Sequence, residues 1–400
     1  MKQLASFLFL LFTLQILHAA GFLDKNQQFK KYLQQAKILN FSQNTQAIEN
    51  FRNKWLAKKN LKIRVLGDSH IAADFITHEL RTILGNANSI GFTYPIMPDY
   101  HQNLLLSYQS TNFRILDSRK KFADYALDYP LGGIIAVVEK LPASITLNVK
   151  ESLLNIANKN FTTQIIFQGP ANTHSFRIED ANHNTAILAA KTQQWEIAQH
   201  DFTFPITIYA LNEKAKLGGY FIYKKNNPLL IEHLGVNGVR SDIWLKWNLK
   251  AVKRQLSLLE YDLIILCYGS NDATLDNLNR EKFIRNYSEF IRILRHYNPH
   301  TLILLVSPPP VLLPIPSNKA EIKQYRLAKS FQAVQEAIHI IAQKEHTLLF
   351  DTNDFIQKTG SKKQWTLNNL SKPDVHLSPA GYKLIANALY KALQDIFSAR

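Results

Sequence analysis

From residue 62 onward, short continuous apolar runs alternate with stripes of apolar residues at helical spacing, and a long central stretch of different texture interrupts them. Residues 63–66 are mostly apolar and predict a strand, after which Ile71, Phe75, Ile76, Leu80 and Ile83 recur at helical period. The alternation resumes at Leu229. Residues 231–234, 263–267, 301–306 and 347–350 predict strands. Leu245, Leu249, Val252 and Leu256 mark one helix, with Trp244 beside it, and Phe283, Tyr287, Phe290, Ile291 and Leu294 mark another. Further helices are predicted over 319–344 and 379–397. Strands without polar alternation, joined by helices, predict a parallel sheet covered on both faces, a three-layer α/β/α domain.

Between about 94 and 227 the pattern changes to short β-branched or alternating runs at 113–116, 133–138, 144–149, 162–167, 175–178, 185–189, 204–209 and 220–223. Turn clusters such as Asn158-Lys159-Asn160 and Gln168-Gly169-Pro170 separate them, which predicts an antiparallel β-sandwich. The reading is therefore an α/β domain over 62–94 and 229–400 with a sandwich inserted at 95–228. Its natural place is near the carboxyl ends of the strands, where α/β sheets bind ligands. Residues 21–61 are polar with sparse apolar positions and read as a helical segment packed on the larger body. Residues 1–20, with Lys2, an apolar core and small residues at the end, read as a secretory signal. The alternative is an uncleaved N-terminal anchor; the expected location is periplasmic, by export through this segment. The lone Cys267 ends an apolar strand and is read as a core residue, in keeping with a bacterial periplasm over a disulfide-stapled secreted fold.

Net charge is +16, with lysines spread along 400 residues and no nucleic-acid-binding pattern, so nucleic acid is excluded as the expected partner. A diffuse positive surface favours peripheral contact with an anionic wall polymer or membrane face, or serves solubility alone. Metal catalysis has no support: there is no His-Glu-x-x-His and no dense acidic or histidine cluster, and no cofactor is expected.

Three blocks carry chemistry. Gly67-Asp68-Ser69-His70 places a serine on a strand-to-helix turn, where a hydrolase raises a nucleophile above the sheet edge. Gly269-Ser270-Asn271-Asp272 follows an apolar strand, and Asp374-Val375-His376 lies near the carboxyl end. They supply a nucleophile, a base with a carboxylate, and an amide donor. With Gly238 in Gly235-Val236-Asn237-Gly238, these blocks resemble the SGNH (GDSL-like) hydrolase superfamily. The resemblance implies Ser69 as nucleophile and His376 as general base and acid, with Asp374 orienting the imidazole. It also implies an oxyanion hole made by the Ser69 and Gly238 N–H groups and the Asn271 side chain. The family's aspartate usually stands three residues before the histidine, where this chain has Pro373. Asp374 lies two before, so Asp351, Asp354 or a dyad without an acid remain alternatives. Asp68 reads as a turn holder, His70 as a helix cap or a substrate contact, and Asp272 as a structural hydrogen-bonder.

Gly67 to Phe75, Gly91-Phe92-Thr93-Tyr94-Pro95 and residues 235–241 further resemble bacterial peptidoglycan O-acetylesterases, which carry an inserted β-sandwich similar to a carbohydrate-binding module. That resemblance implies O-acetylated peptidoglycan as partner and removal of acetyl from the C6 hydroxyl of N-acetylmuramic acid, by a monomer. A transferase using the same acyl-serine, a non-catalytic glycan-binding wall protein, and a general lipase are the alternatives. In the insert, Trp195, Tyr209, Tyr220 and Tyr223 read either as an aromatic platform for sugar rings or as core.

Overall fold

The computed structural model describes residues 22–85, 87–119, 128–150, 159–226, 228–315 and 324–398. The signal reading at 1–20 lies outside them. Among the described residues no helix is long and apolar enough to cross a membrane.

The central sheet has six strands in the order Ile38–Asn40, Leu348–Phe350, Leu302–Val306, Leu263–Cys267, Lys62–Gly67 and Leu230–Gly235. All neighbouring pairs are parallel except the first, where Ile38 faces Phe350 in an antiparallel edge pair. Period-two alternation sends the two faces into different cores. Ile264, Leu266, Ile303, Leu305 and Leu349 pack with helices Leu249–Leu256, Arg280–Tyr297 and Phe331–Lys344. Leu263, Ile265, Leu302, Leu304, Leu348 and Phe350 pack on the other side with helices Thr45–Ala57, Phe75–Leu84 and Pro379–Ser398. Burial on both faces explains why these strands show no polar alternation. Asparagines start three of the helices: Asn44, Asn248 and Asn279 each accept a backbone N–H three residues on.

The central stretch forms two antiparallel sheets. One runs Thr185–Ala190, Thr173–Asp180, Ile206–Ala210, Ser144–Val149, Leu106–Thr111. The other runs Glu196–Thr203, Asn160–Gln168, Lys216–Tyr223, Ile134–Val138, Phe113–Asp117, with Gly91–Thr93 also paired to Lys216–Tyr223. Ile145, Leu147, Ile165, Phe176, Ile178, Ile208, Leu217 and Ile222 fill the space between them. The outer face of the second sheet is not solvated throughout. Phe92, Tyr129, Trp195 and Phe221 join Trp244, Trp247 and Phe290 in one core with the α/β body, so the sandwich is seated on the hydrolase-like layer.

Three local expectations need correction. The segment read as helical before residue 62 also donates the edge strand Ile38–Asn40. The stripe from 319 yields a helix only over Phe331–Lys344, because Tyr325–Leu327 pairs as a strand with Leu312–Pro314; residues 319–323 lie outside the described residues. Leu245 is 53% exposed, since the chain there makes a single 3-10 turn, Ile243–Lys246, before the true helix starts at Leu249.

Candidate active site

Ser69 opens the short helix Ser69–Ala72 directly after strand Lys62–Gly67, and Asp68 caps it by accepting the His70 N–H at 3.0 Å. The Ser69 Oγ stands 3.1 Å from His376 Nε2. His376 lies in the loop before helix Pro379–Ser398, and Asp374 accepts its backbone N–H at 2.8 Å. The Asp374 carboxylate oxygens lie 3.3 and 3.4 Å from His376 Nδ1. Burial pushes the Asp374 carboxyl up, but the His376 N–H, its imidazole and Lys362 outweigh this and hold it below the ordinary range. The other carboxylates are spent elsewhere. Asp351 is held by His339 at 2.7 Å and Ser307 at 3.1 Å, and Asp354 pairs with Lys358 at 2.7 Å.

Two further loops close on Ser69. Gly235 ends the strand beside it, and a Cβ there would lie 2.2 Å from the Ala72 nitrogen, so only glycine lets this strand end approach the serine helix. Val236 N–H donates to Gly67 O at 3.1 Å, which anchors the loop to the serine strand. Gly238 then adopts φ +75°, and a Cβ there would meet no protein atom within 4 Å. This glycine is set by backbone conformation and faces open space. Asn271, in Ser270–Ala273, donates from Nδ2 to Val239 O at 2.9 Å and lies 3.4 Å from Asp68 Oδ2. Asp272 accepts both the N–H and the hydroxyl of Ser241, at 3.1 and 2.9 Å. The structure thus brings Ser69, His376, Asp374, Gly238 and Asn271 to one edge of the sheet, at the carboxyl ends of its parallel strands.

The buried surroundings set charge states. Burial raises Asp68 to about 7, helped by Asp272, and burial raises Asp272 to about 6. His70 makes no helix-capping bond in the short helix, and its ring centre lies 5.8 Å from that of His376. Its ring is buried between Tyr382 OH at 2.9 Å and Ser270 Oγ at 2.8 Å, and burial pushes it down to about 3, so it is neutral. Lys362 is a residue with no sequence signal beyond a lysine in a helix. Its Nζ lies 3.2 Å from the His376 carbonyl, which also accepts Lys372 N–H at 3.1 Å, so the histidine loop is clamped from behind. Cys267 is buried, as its strand predicts. Among the described residues no three His, Cys, Asp or Glu side chains group to hold a metal ion.

The four aromatic residues of the insert do not form one platform. Trp195 and Tyr220 are core residues, 2% and 0% exposed. Tyr209 and Tyr223 lie on different sheets.

The model of the GDSL-like lipase/acylhydrolase family matches residues 217–384. That of the peptidoglycan O-acetylesterase N-terminal domain matches 89–207. The first match spans Gly238, Asn271, Asp374 and His376 but not Ser69, which only the fold brings to them. A solved structure described as a peptidoglycan O-acetylesterase in action superposes with TM-score 0.75 at 22% identity, covering 90% of this chain and 99% of that one. A family two carbohydrate esterase from Cellvibrio japonicus gives TM-score 0.29 at 13% identity, covering 74% and 99%. A Corynascus carbohydrate esterase of the same family, with a carbohydrate-binding domain, gives 0.31 at 11%, covering 72% and 100%. No curated protein sequence matches this chain.

Proposed function

We propose that this chain, whose residues 217–384 match the GDSL-like lipase/acylhydrolase family and whose residues 89–207 match the N-terminal domain of peptidoglycan O-acetylesterases, removes acetyl groups from the C6 hydroxyl of N-acetylmuramic acid in peptidoglycan. The observation that carries the mechanism is the 3.1 Å approach of Ser69 Oγ to His376 Nε2 at the open edge of the sheet. As Ser69 Oγ bonds to the acetyl carbonyl carbon, its proton passes to His376 Nε2. Asp374, against Nδ1, orients the ring and stabilises the imidazolium. The carbonyl oxygen becomes an oxyanion, held by the Ser69 and Gly238 N–H groups and by Asn271 Nδ2, which gives up its long 3.4 Å contact with Asp68 Oδ2 to reach it. Collapse breaks the bond to the sugar O6, which takes the proton from His376 and leaves as the alcohol. Water then attacks acetyl-Ser69, gives a proton to His376, and releases acetate as that proton returns to Ser69.

We place the protein outside the cytoplasmic membrane, in the periplasm, where its substrate is, exported by the segment at 1–20. The insert is proposed to hold glycan strands beside the site, and the +16 charge suits an anionic wall. The test is acetate release from O-acetylated peptidoglycan, with de-acetylated wall and Ser69→Ala as controls, with and without an acceptor sugar. Ser69-dependent free acetate supports the esterase. Transfer to the acceptor would make it an acetyltransferase, and no acetyl loss from wall would overturn the substrate.

A further inference from the structure

The sandwich sends one side chain to the back of the proposed oxyanion hole. Arg119 follows strand Phe113–Asp117, and its Nη1 donates to the Asn237 carbonyl at 3.3 Å. That carbonyl and the Gly238 N–H belong to one peptide unit. A trans peptide is planar with its oxygen and hydrogen on opposite sides, so a group that grips the oxygen fixes where the N–H points. Among the described residues no acceptor takes the Gly238 N–H. Gly238 at φ +75° has no Cβ to restrict the backbone, so this peptide is free to rotate unless something holds it.

Arg119 is itself well held. Its Nε donates to Asp117 Oδ2 at 2.7 Å, and its guanidinium lies 4.0 Å from the centre of the Tyr100 ring. The Tyr100 hydroxyl donates to the same carboxylate oxygen at 2.7 Å, and the Asp117 side chain is almost fully buried. The turn is also tied to the α/β body, since Lys246 Nζ donates to Ser118 O at 2.6 Å. A charged donor on a peptide oxygen both orients that peptide and polarises its N–H, because linked hydrogen bonds strengthen one another.

We propose that Arg119 is a positioning residue for ester hydrolysis: it holds the Asn237–Gly238 peptide so that the Gly238 N–H faces the developing oxyanion. The insert then takes part in transition-state stabilisation as well as in substrate binding. This rests on the acylhydrolase mechanism above but not on the identity of the acetylated polymer.

The test compares Arg119→Met and Arg119→Lys with wild type on a small aryl acetate and on O-acetylated peptidoglycan. Rates are taken per serine titrated with a fluorophosphonate, and melting temperatures are recorded beside them. The expected result for Arg119→Met is a fall in kcat of about tenfold or more on both substrates with KM nearly unchanged. That is smaller than the 10²–10³ lost with an oxyanion donor itself. Arg119→Lys recovers part of the loss. A fall on peptidoglycan alone would make Arg119 a glycan contact and overturn the inference. So would a lower melting temperature with kcat per titrated serine unchanged. Wild type that cleaves only the aryl acetate would sink the peptidoglycan reading while still testing Arg119. Wild type inert towards both would remove the mechanism and this inference together.

Discussion

Ser69 Oγ and His376 Nε2 stand 3.1 Å apart although 307 positions separate them in the chain. Two elements make this contact: a turn fixed by the Asp68 cap, and a loop clamped at the His376 carbonyl by Lys362 and Lys372. Neither clamp touches the Oγ–Nε2 contact itself, so the reacting pair can be altered without loosening what holds it. Ser69→Ala and His376→Ala should each lower turnover by about 10⁴ or more. Melting temperatures should stay near wild type, because both side chains are only half-buried. Acetate release and thermal melts on the same samples check this; substantial turnover in Ser69→Ala would end the acyl-serine mechanism.

Asp374 should matter less than a fully enclosed triad acid. Its side chain is 41% exposed and its carboxylate is 3.3–3.4 Å from Nδ1, so its hold on the imidazole is long and solvent-screened. Asp374→Ala is expected to lose about 10²-fold in kcat, against roughly 10⁴ for a buried triad aspartate. Asp351→Ala, whose carboxylate serves His339 and Ser307, should leave kcat near wild type. Steady-state kinetics of the two variants decide which carboxylate serves His376, and the reverse ranking would reassign it.

The two glycines of one loop should respond oppositely to a methyl group. At Gly238 the added Cβ meets no protein atom, so Gly238→Ala carries only left-handed backbone strain of about 1–2 kcal/mol. The methyl would stand at the open edge beside the proposed oxyanion, and activity should fall far more than stability. At Gly235 the Cβ would sit 2.2 Å from the Ala72 nitrogen, so Gly235→Ala should fail to fold or melt many degrees lower. Paired melts and activity assays check both; an active, stable Gly235→Ala would show that the strand end is not seated against the serine helix as described.

The parallel sheet was legible because burial on both faces leaves an unbroken apolar run, as in Leu263–Cys267. What sequence reasoning missed follows from the same physics. Leu106–Thr111 and Glu196–Thr203 are edge strands of the sandwich, the first largely exposed and the second mostly half-buried, so neither carries the apolar alternation that marks a strand. In the site, Ser69, Asn271 and His376 stand in recognisable blocks, whereas Lys362 and Arg119 act through backbone carbonyls. A contact to a carbonyl asks nothing of its partner's side chain, so no residue pattern along the chain announces it.

Asp68 should make stability depend on pH in a direction opposite to a surface carboxylate. Burial raises its folded value to about 7, while in the unfolded chain an aspartate titrates near 4. The folded state therefore keeps a proton that the unfolded state releases. The resulting stabilisation is complete below about pH 4 and is lost as pH rises through about 7. Asp68→Asn keeps a side chain that can cap Ser69–Ala72 but removes this titration. The stability of the variant relative to wild type should rise from pH 4 to 7 and level off above that. Urea midpoints at pH 4, 5.5, 7 and 8 measure it; a gap that stays flat across this range would show that Asp68 is ionised throughout.

The seat of the sandwich on the α/β body holds a buried ion pair. Arg64 on Lys62–Gly67 and Glu232 on Leu230–Gly235 are 0% and 1% exposed and joined through Arg64 Nε and Glu232 Oε1. Tyr261 OH accepts from Arg64 Nη2 at 2.9 Å and donates to Glu232 Oε2 at 2.7 Å. The same carboxylate oxygen takes the Phe92 N–H at 2.5 Å, tying it to Gly91–Thr93, the strand through which the chain enters the sandwich. Removing one partner of such a pair strands the other charge away from water, at a cost of about 3–5 kcal/mol. Glu232→Gln leaves Arg64 uncompensated and should lose about that much in urea unfolding. Arg64→Met with Glu232→Gln removes both charges and should recover part of the loss, since desolvating two ions nearly cancels their attraction. If the double variant were less stable than Glu232→Gln alone, the pair would be stabilising in its own right, and the connection between sandwich and hydrolase would rest on charge more than on the apolar core around Phe221 and Trp247.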